Sequence, residues 1–181
     1  MKRWLVLLLT AVLLFSLAAC GSSSETDSSQ AAEATEAESI TLTSGGVSID
    51  LPAGYTVADN PEGNPNLVAT FSGEQGFIVI YVIRESLSDL GESADFSAKD
   101  YLTKLHDVST ADKLSEVDEK DGLPYFTYTE DGGGMQPLNY LNIGYRSGDY
   151  CYVVQFLCYE QEYEPYYCDS FFEWAGTVKF E

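Results

Sequence analysis

Two segments of this chain are apolar at nearly every position rather than at every second one. Phe77–Ile83 reads Phe-Ile-Val-Ile-Tyr-Val-Ile, and Cys151–Cys158 reads Cys-Tyr-Val-Val-Gln-Phe-Leu-Cys. A strand with one solvated face alternates apolar and polar residues, whereas a strand that is covered on both faces does not. Both segments therefore predict strands near the centre of a sheet that other elements cover on both sides.

Two amphipathic segments are available to cover that sheet. The first begins at Ser97, a good N-cap residue, with Asp100 at the third helical position as in a capping box. Its apolar residues follow at helical spacing: Ala98, Tyr101, Leu102, Leu105 and Val108. The second predicted helix runs from Pro165 to Ala175, because proline suits a first helical turn and Gly176 suits an end.

The other apolar segments are short and are separated by turn residues. They predict strands at Ile40–Thr43, Val47–Leu51, Leu67–Phe71, Leu114–Glu119, Leu123–Glu130, Leu138–Tyr145 and Thr177–Phe180. Asp121-Gly122 and Ser147-Gly148-Asp149 are hairpin turn signals, and strands that are joined by tight turns pair antiparallel. We therefore expect an α+β fold, in which an antiparallel β-sheet is flanked by two helices as a three-layer α/β/α sandwich.

The charge of the chain restricts its partners. The 181 residues include 29 acidic and 9 basic side chains, which gives a formal net charge of −20. Proteins that bind nucleic acids or anionic lipid headgroups need clustered Lys and Arg, and here these residues are few and scattered. We expect no nucleic-acid partner, while an acidic surface of this kind keeps an exported protein soluble.

The N-terminus has the three parts of an export signal. Met1-Lys2-Arg3 is basic, Trp4–Leu17 is an apolar run, and small residues lead to Cys20 in Leu17-Ala18-Ala19-Cys20. The apolar run is shorter than the roughly 20 residues of a membrane span. This segment resembles a bacterial lipoprotein signal with its lipobox. The resemblance implies cleavage before Cys20 and lipidation of Cys20, with palmitate or a similar acyl chain, on the extracytoplasmic face of the cell membrane.

A polar tract separates Cys20 from the first predicted strand. Residues 21–39 are mostly Ser, Ala, Glu and Thr, without any aromatic side chain. Such a composition cannot bury enough apolar surface to offset the entropy of ordering the chain. We therefore expect a signal peptide at 1–19, a lipidated cysteine with a disordered tether at 20–39, and one folded domain at 40–181.

Two short phrases and the order of elements resemble a known fold. Val47–Tyr55 reads Val-Ser-Ile-Asp-Leu-Pro-Ala-Gly-Tyr, and Thr177–Phe180 reads Thr-Val-Lys-Phe. These phrases are similar to the first strand and the last strand of the PsbP-like domains, whose fold is shared with the eukaryotic Ran-binding nuclear import factors. Tyr55 stands where many such sequences carry Trp. The resemblance implies an extracytoplasmic binding or accessory role, and it supplies no catalytic residues.

Three cysteines remain beyond the predicted anchor. Cys151 and Cys158 are seven residues apart on one predicted strand, so they are expected on opposite faces of the sheet. Cys158 and Cys168 close a short loop and form a candidate disulfide; alternatively, each serves as a small buried apolar residue. The sequence has no C-x-x-C spacing and a single histidine, His106, so we expect neither a metal site nor a cofactor.

Residue types that carry chemistry are otherwise sparse. His106 lies at the edge of the apolar stripe of the first helix, and no Gly-x-Ser-x-Gly motif accompanies it. Two acidic groups form either solvated surface or a weak cation site: Glu116, Asp118, Glu119 and Asp121 in the first, and Glu160, Glu162 and Glu164 in the second. We therefore expect no enzymatic activity.

The 13 tyrosines are the remaining hint of function. Four of them cluster at the start of the second predicted helix: Tyr159, Tyr163, Tyr166 and Tyr167. They either fill gaps between the helix and the sheet or form a contact surface for a partner, because tyrosine combines a large apolar ring with a polar tip. The leading hypothesis is a non-enzymatic envelope lipoprotein that binds a partner; the alternatives are an accessory subunit that binds a cation or small ligand, and an envelope hydrolase.

Overall fold

The computed structural model describes residues 38–61, 63–73, 77–111, 113–131 and 136–181, which form two antiparallel sheets and a few helices. The larger sheet has seven strands in the order β3-β4-β5-β9-β8-β7-β6. These strands are β3 (Tyr55–Ala58), β4 (Leu67–Gly73), β5 (Val79–Ser86), β6 (Asp118–Lys120), β7 (Leu123–Glu130), β8 (Leu138–Ser147) and β9 (Tyr150–Tyr159). The smaller sheet has the order β1-β2-β10, with β1 (Ser39–Ser44), β2 (Val47–Pro52) and β10 (Lys179–Phe180).

The two continuously apolar segments pair with each other, as the sequence predicts for central strands. β5 and β9 are antiparallel neighbours, with Val82 opposite Val154 and Ile83 opposite Val153. Ile80 and Val154 are fully buried on one side of the sheet, and Cys151 is fully buried on the other. The expected α+β class and the antiparallel pairing are both confirmed.

We call the side of the large sheet that carries Ile80 and Val154 the core face. It packs against strand β2 and helix α4 (Cys168–Ala175). Phe171 of α4 is fully buried and stacks on Phe156 of β9, with 5.0 Å between the ring centroids. Buried aromatic rings bring both area and specific ring geometry to a core. This face is therefore closed by a helix and a small sheet together, where the sequence analysis expected a helix alone.

We call the opposite side, which carries Cys151 and Val153, the helix face. Helix α2 (Ala98–Val108) crosses it and buries Tyr101 and Leu102. The predicted capping box is confirmed: the Ser97 hydroxyl accepts from the Asp100 amide, and the Asp100 carboxylate accepts from the Ser97 amide. The Ser97 hydroxyl, which donates to the Asp100 carboxylate over 2.6 Å, and then the Ser97 amide hold the pKa of Asp100 below its usual value.

Gly144 of β8 explains how closely α2 approaches the sheet. A Cβ atom at this position would lie 2.7 Å from Leu102 Cγ and 2.9 Å from the Ala98 carbonyl oxygen. Only a residue without a side chain leaves room for the backbone of the helix there. One glycine therefore permits the close packing of α2 on β8.

The second predicted helix begins earlier than expected. Helix α3 (Glu160–Glu162) continues through a π-helical turn at Tyr163–Tyr167 into α4, which ends at Ala175 before Gly176, as predicted. Pro165 lies inside the π-helical turn rather than at the first turn of the helix. Proline has no N–H to donate, so it interrupts the regular ladder of helical hydrogen bonds. The irregular turn accommodates that interruption.

The predicted strand Leu114–Glu119 is also shorter than expected, because only Asp118–Lys120 pairs with β7. Ser115 is not part of a strand, but it forms two hydrogen bonds with β7. Its amide donates to the Thr127 carbonyl, and its hydroxyl accepts from the Thr127 amide. The Ser115 carbonyl lies 3.0 Å from His106 Nε2, so its hydrogen-bond partner is a histidine side chain and not a neighbouring strand.

Two elements were not predicted: strand β3 and the short helix α1 (Leu87–Leu90). The predicted turn signals are confirmed, because Asp121 and Gly122 both have positive φ between β6 and β7. The signal segment 1–19, Cys20, nearly all of the predicted tether and the loop glycines 132–134 lie outside the described residues. No described helix is long and apolar enough to cross a membrane.

Candidate ligand-binding groove

The helix face becomes more polar beyond the end of α2. Ile83, Val153 and Gly144 form a cross-strand row that packs near α2. One row further along, the residues on the same face are Tyr81, Gln155, Asn142 and Phe126. Beside this polar and aromatic row lies a cavity of about 390 Å³, which also borders the C-terminal end of α2. We call this cavity the groove.

A buried amide network forms the floor of the groove. Gln155 Nε2 donates to Asn142 Oδ1 over 2.8 Å and to the Tyr128 hydroxyl over 3.2 Å. Asn142 is only 3% exposed, and its Nδ2 has no hydrogen-bond partner among the residues that the structure describes. A buried donor without an acceptor costs about 1–3 kcal/mol. The floor of the groove therefore includes one buried amide donor that no described residue satisfies.

Phe126 and Tyr128 line the groove, and an aromatic stack continues from them to Tyr140 on the next strand. The rings of Phe126 and Tyr128 are stacked at 6.3 Å, and those of Tyr128 and Tyr140 at 4.5 Å with an angle of 11° between their planes. Burial and the neighbouring Glu130 carboxylate raise the pKa of Tyr140 to about 12, and the pKa of Tyr128 is raised by the same causes. Both phenols therefore keep their protons at neutral pH and can donate them.

Two carboxylates border the groove, and no Lys or Arg does so among the described residues that line it. Glu85 accepts from the Tyr101 hydroxyl over 2.6 Å and from Asn66 Nδ2 over 3.4 Å. Glu130 is exposed at the other side. The groove is therefore an acidic, partly aromatic cleft with one buried, unpartnered amide donor in its floor. An anionic ligand would meet like charges there.

The predicted tyrosine surface is divided by the structure. Tyr159 lies on the helix face and stacks on Phe77, with 5.2 Å between centroids. Tyr163 is 6% exposed and belongs to the core, while Tyr167 is half-buried and stacks on Phe171. Only Tyr166 is largely exposed, at 69%. The four rings thus do not form one surface, and at Tyr163 and Tyr167 the packing alternative fits the observed contacts.

Cys151, Cys158 and Cys168 are free thiols in the described part of the chain. As predicted from their spacing, Cys151 and Cys158 lie on opposite faces of the sheet. Burial and then the Glu162 carboxylate raise the pKa of Cys158 to about 12. Cys158 and Cys168 are both free thiols, so the structure does not hold the candidate Cys158–Cys168 disulfide.

The acidic groups noted in the sequence are dispersed. Of these carboxylates, Glu160 pairs with Lys113. Asp169, which belongs to neither group, pairs with Lys120 over 2.8 Å. Within the described ranges, no group of three or more His, Cys, Asp or Glu side chains is arranged to hold a metal ion. His106 lies edge-on against Phe126, with 5.7 Å between the rings, and its Nε2 contacts the Ser115 carbonyl. That contact gives the histidine a structural role between α2 and β7.

The groove was not found from the sequence, although a signal for it is present. Gln155 is the one polar residue inside Cys151–Cys158, and Asn142 interrupts the apolar residues of β8. Asparagine is depleted in strands, and a buried amide requires hydrogen-bond partners. Because both strands are predicted to be covered, the sequence alone could have suggested that these two polar residues are hydrogen-bond partners. The register that brings Gln155 opposite Asn142 could not be obtained without the pairing of β8 with β9.

The chain matches no family model and no curated protein. Among solved structures, it is similar to cyanobacterial PsbP (CyanoP) from Synechocystis, with 16% identity and a TM-score of 0.48 over 82% of this chain and 96% of that one. It is also similar to a Bacteroides thetaiotaomicron protein, with 11% identity and a TM-score of 0.49 over 75% of this chain and 45% of that one. At this level of identity, similarity concerns the fold alone, and no ligand, partner or activity is carried from either structure.

Proposed function

We propose that this protein is a lipid-anchored, extracytoplasmic binding protein without enzymatic activity, and that it holds a small ligand without negative charge in the groove. The observation that carries the binding proposal is the buried Asn142 amide, whose Nδ2 finds no acceptor within the described residues that surround it. A volume of about 390 Å³ lies within the range of small-molecule sites, and its lining combines Phe126 and Tyr128 with the polar floor of Asn142 and Gln155.

The location is proposed from the lipobox resemblance at Leu17-Ala18-Ala19-Cys20. Acyl chains on Cys20 would supply the membrane affinity, at about 0.8 kcal/mol for each buried CH₂. The acidic domain would then remain in solution outside the membrane. The possible partner in the envelope that the sequence analysis considered is compatible with this arrangement, since the groove occupies only part of the helix face.

The location is tested by fractionating cells that express the full chain. We expect the wild type in the membrane fraction and Cys20→Ser in the soluble fraction, with Ser22→Ala as a matched control that stays with the membrane. Mass spectrometry of the wild type should find acylated Cys20 at the new N-terminus. A Cys20→Ser variant that remains in the membrane fraction would overturn the anchor.

The binding site is tested by thermal shift with neutral, cationic and anionic small molecules. We expect at least one neutral or cationic compound to raise the melting temperature, and we expect Asn142→Leu to remove that shift. Leucine has nearly the same size, but it removes both the unpartnered Nδ2 and the Oδ1 that accepts from Gln155, so the variant tests the whole Asn142 amide. Stabilisation by anionic compounds only, or equal stabilisation of Asn142→Leu, would contradict the proposed site.

A further inference from the structure

The π-helical turn between α3 and α4 directs one aromatic ring out of the protein. Tyr163 is 6% exposed and lies in the core, whereas Tyr166, three residues later, is 69% exposed. Residues three apart lie on the same face of a regular α-helix, but the wider turn of a π-helix separates them. Such turns are rare in proteins, and those that occur are frequently at functional sites. The backbone therefore presents Tyr166 to solvent.

Tyr166 lies beside a cavity of about 260 Å³ next to the core face. Its ring is 6.4 Å from that of Tyr167, which lines the cavity together with Tyr55 and Trp174. We call this cavity the aromatic pocket. Among the described residues that line it, none carries a charge. Small-molecule sites usually enclose about 300–1,000 Å³, so the pocket fits one apolar side chain better than a whole ligand.

Carboxylates border this surface, and the segment that carries Tyr166 contains no basic residue. Residues 160–178 include Glu164 and Glu173, which are both exposed, and no Lys or Arg. Glu38 is exposed as well, and its carbonyl accepts from the amide of Ala53, which lines the pocket. Within the described ranges, none of these three carboxylates forms an ion pair. Their negative charge is therefore not compensated by a neighbouring side chain.

Charge complementarity determines the class of partner that this surface fits. Nucleic acids and anionic lipid headgroups would meet like charges there. A basic protein segment would meet opposite charges, which speed association and disfavour wrong partners. The aromatic pocket adds the requirement for an apolar side chain within that segment.

We propose that Tyr166, the aromatic pocket and the bordering carboxylates form a docking surface for a basic segment of a partner protein. An apolar or aromatic side chain of that segment enters the pocket. A neighbouring Arg or Lys lies over the Tyr166 ring, whose face attracts a cation, and near Glu164. The aromatic pocket is built on the core-face side and the groove lies on the helix face, so this proposal goes beyond the ligand proposed for the groove.

Fluorescence anisotropy of labelled peptides, titrated with the full chain, tests the proposal. The probes are Arg-Arg-Leu-Trp-Arg-Arg, the charge-reversed Glu-Glu-Leu-Trp-Glu-Glu, and Arg-Arg-Ala-Ala-Arg-Arg, which lacks the large apolar side chains. We expect the first peptide to bind about tenfold more tightly than either of the others, or tighter still. Its binding should weaken as the salt concentration rises, because salt screens exposed charges.

Two substitutions of exposed residues locate the site. Tyr166→Ala should weaken the first peptide about tenfold, because exposed tyrosines are among the residues that dominate binding at interfaces. Its matched control, Tyr150→Ala, removes an exposed ring elsewhere and should not weaken it. Glu164→Lys should also weaken that peptide, whereas Asp107→Lys makes the same change of charge at the end of α2 and should have little effect. Melting curves show whether each variant is folded.

Equal binding of the charge-reversed peptide, or equal binding by Tyr166→Ala and the wild type, would overturn the proposal. Failure of the first peptide to bind would also do so. Phosphatidylcholine vesicles distinguish a neutral membrane surface from a protein partner. If Tyr166→Ala lowered the binding of the full chain to these vesicles while no peptide bound, the surface would contact lipid and the proposal would be wrong.

Discussion

The two faces of the seven-stranded sheet are built from the same strands but are covered differently. The core face meets α4 and the small sheet, and its central side chains, such as Phe156 and Phe171, are fully buried. The helix face packs against one helix of 11 residues, which covers the row of Ile83, Val153 and Gly144 but not the row of Gln155 and Asn142. Beyond the end of α2, the same face presents Gln155 and Asn142 beside the groove.

The difference shows how one sheet separates stability from recognition. A face that is closed by apolar packing contributes most of the free energy of folding. A face that is left partly open can hold polar groups whose hydrogen bonds are incomplete, provided that the opposite face supplies the stability. We therefore expect substitutions on the core face to change the free energy of unfolding strongly, and substitutions in the groove to change it little.

The largest expected effect is that of Phe171→Ala. Phe171 is fully buried and stacks on both Phe156 and Tyr167. Removing a buried Phe side chain typically costs about 3–5 kcal/mol, through lost transfer free energy and the cavity that remains. Urea denaturation measures the change, and Phe171→Leu serves if the alanine variant does not fold.

Tyr166→Ala is the control for that experiment, because it removes a ring of the same segment that is 69% exposed. Its effect should remain within about 0.5 kcal/mol. If Phe171→Ala cost no more than Tyr166→Ala, the packing of α4 on the core face would not be the main source of stability.

The second effect concerns the helix face and should be smaller. In Gly144→Ala, the new Cβ would lie 2.9 Å from the Ala98 carbonyl oxygen, so α2 has to shift. Overpacking of this kind typically costs about 1–3 kcal/mol. Because the end of α2 also borders the groove, the shift should weaken ligand binding as well.

Gly176→Ala is the matched control, since its new Cβ would have its nearest neighbours at 3.4 and 3.6 Å and the residue has a negative φ. It should be neutral, or stabilising by about 0.4–1 kcal/mol. Equal melting temperatures for Gly144→Ala and the wild type would show that the helix tolerates displacement and does not fix the groove.

Gly144 also illustrates which features the sequence could predict and which it could not. The two continuously apolar strands, the capping box of α2 and the Asp121-Gly122 turn are local patterns, and all were predictable. The close approach at Gly144 and the pairing of Gln155 with Asn142 depend on which strands become neighbours. Strand register is a long-range property, so the main features of the groove were not predictable from local patterns.

The same dependence explains the errors near the second helix. The predicted start at Pro165 used the preference of proline for a first turn. In the structure, Tyr163 packs into the core and the helical run already begins at Glu160. Burial of Tyr163 therefore outweighed the local signal. The sequence left open whether the four tyrosines pack or form a contact surface for a similar reason, because it does not show that Tyr159 lies on the opposite face of the sheet.

The third effect compares one tyrosine from each face at high pH. Burial raises the pKa of Tyr145 on the core face, and burial with the Glu130 charge raises that of Tyr140 on the helix face from 10.0 to about 12. Above about pH 10 the unfolded chain loses these phenolic protons while the folded chain keeps them. The unfolded state then binds fewer protons, so stability falls as pH rises.

Tyr145→Phe should therefore reduce the alkaline loss of stability more than Tyr140→Phe does, because Tyr145 is the more deeply buried phenol. Near pH 7, Tyr145→Phe should cost about 0.5–1.5 kcal/mol, since its hydroxyl donates to the Ala175 carbonyl over 2.8 Å. Urea denaturation near pH 7 and near pH 11 measures both. An equal or larger alkaline effect of Tyr140→Phe would mean that the helix face around Tyr140 is as closed as the core face around Tyr145.

The smallest perturbation changes no residue and compares the three thiols. Cys151 and Cys158 are fully buried on opposite faces, and burial raises the pKa of both, that of Cys158 to about 12. The reactive form is the thiolate, so both should resist iodoacetamide near pH 8 in the folded protein. The half-buried Cys168 should be labelled first. Peptide mapping by mass spectrometry reads each cysteine separately, and labelling after denaturation provides the control.

The outcome at Cys158 also bears on the comparison of the two faces. Fast labelling of Cys158 with slow labelling of Cys151 would mean that the core face opens more readily than the helix face, which reverses the order of stability argued above. A linked Cys158–Cys168 peptide from protein isolated under oxidising conditions would instead show that the loop can close into the disulfide. In that case neither thiol would be labelled, and the bridge would add to the stability of the core face.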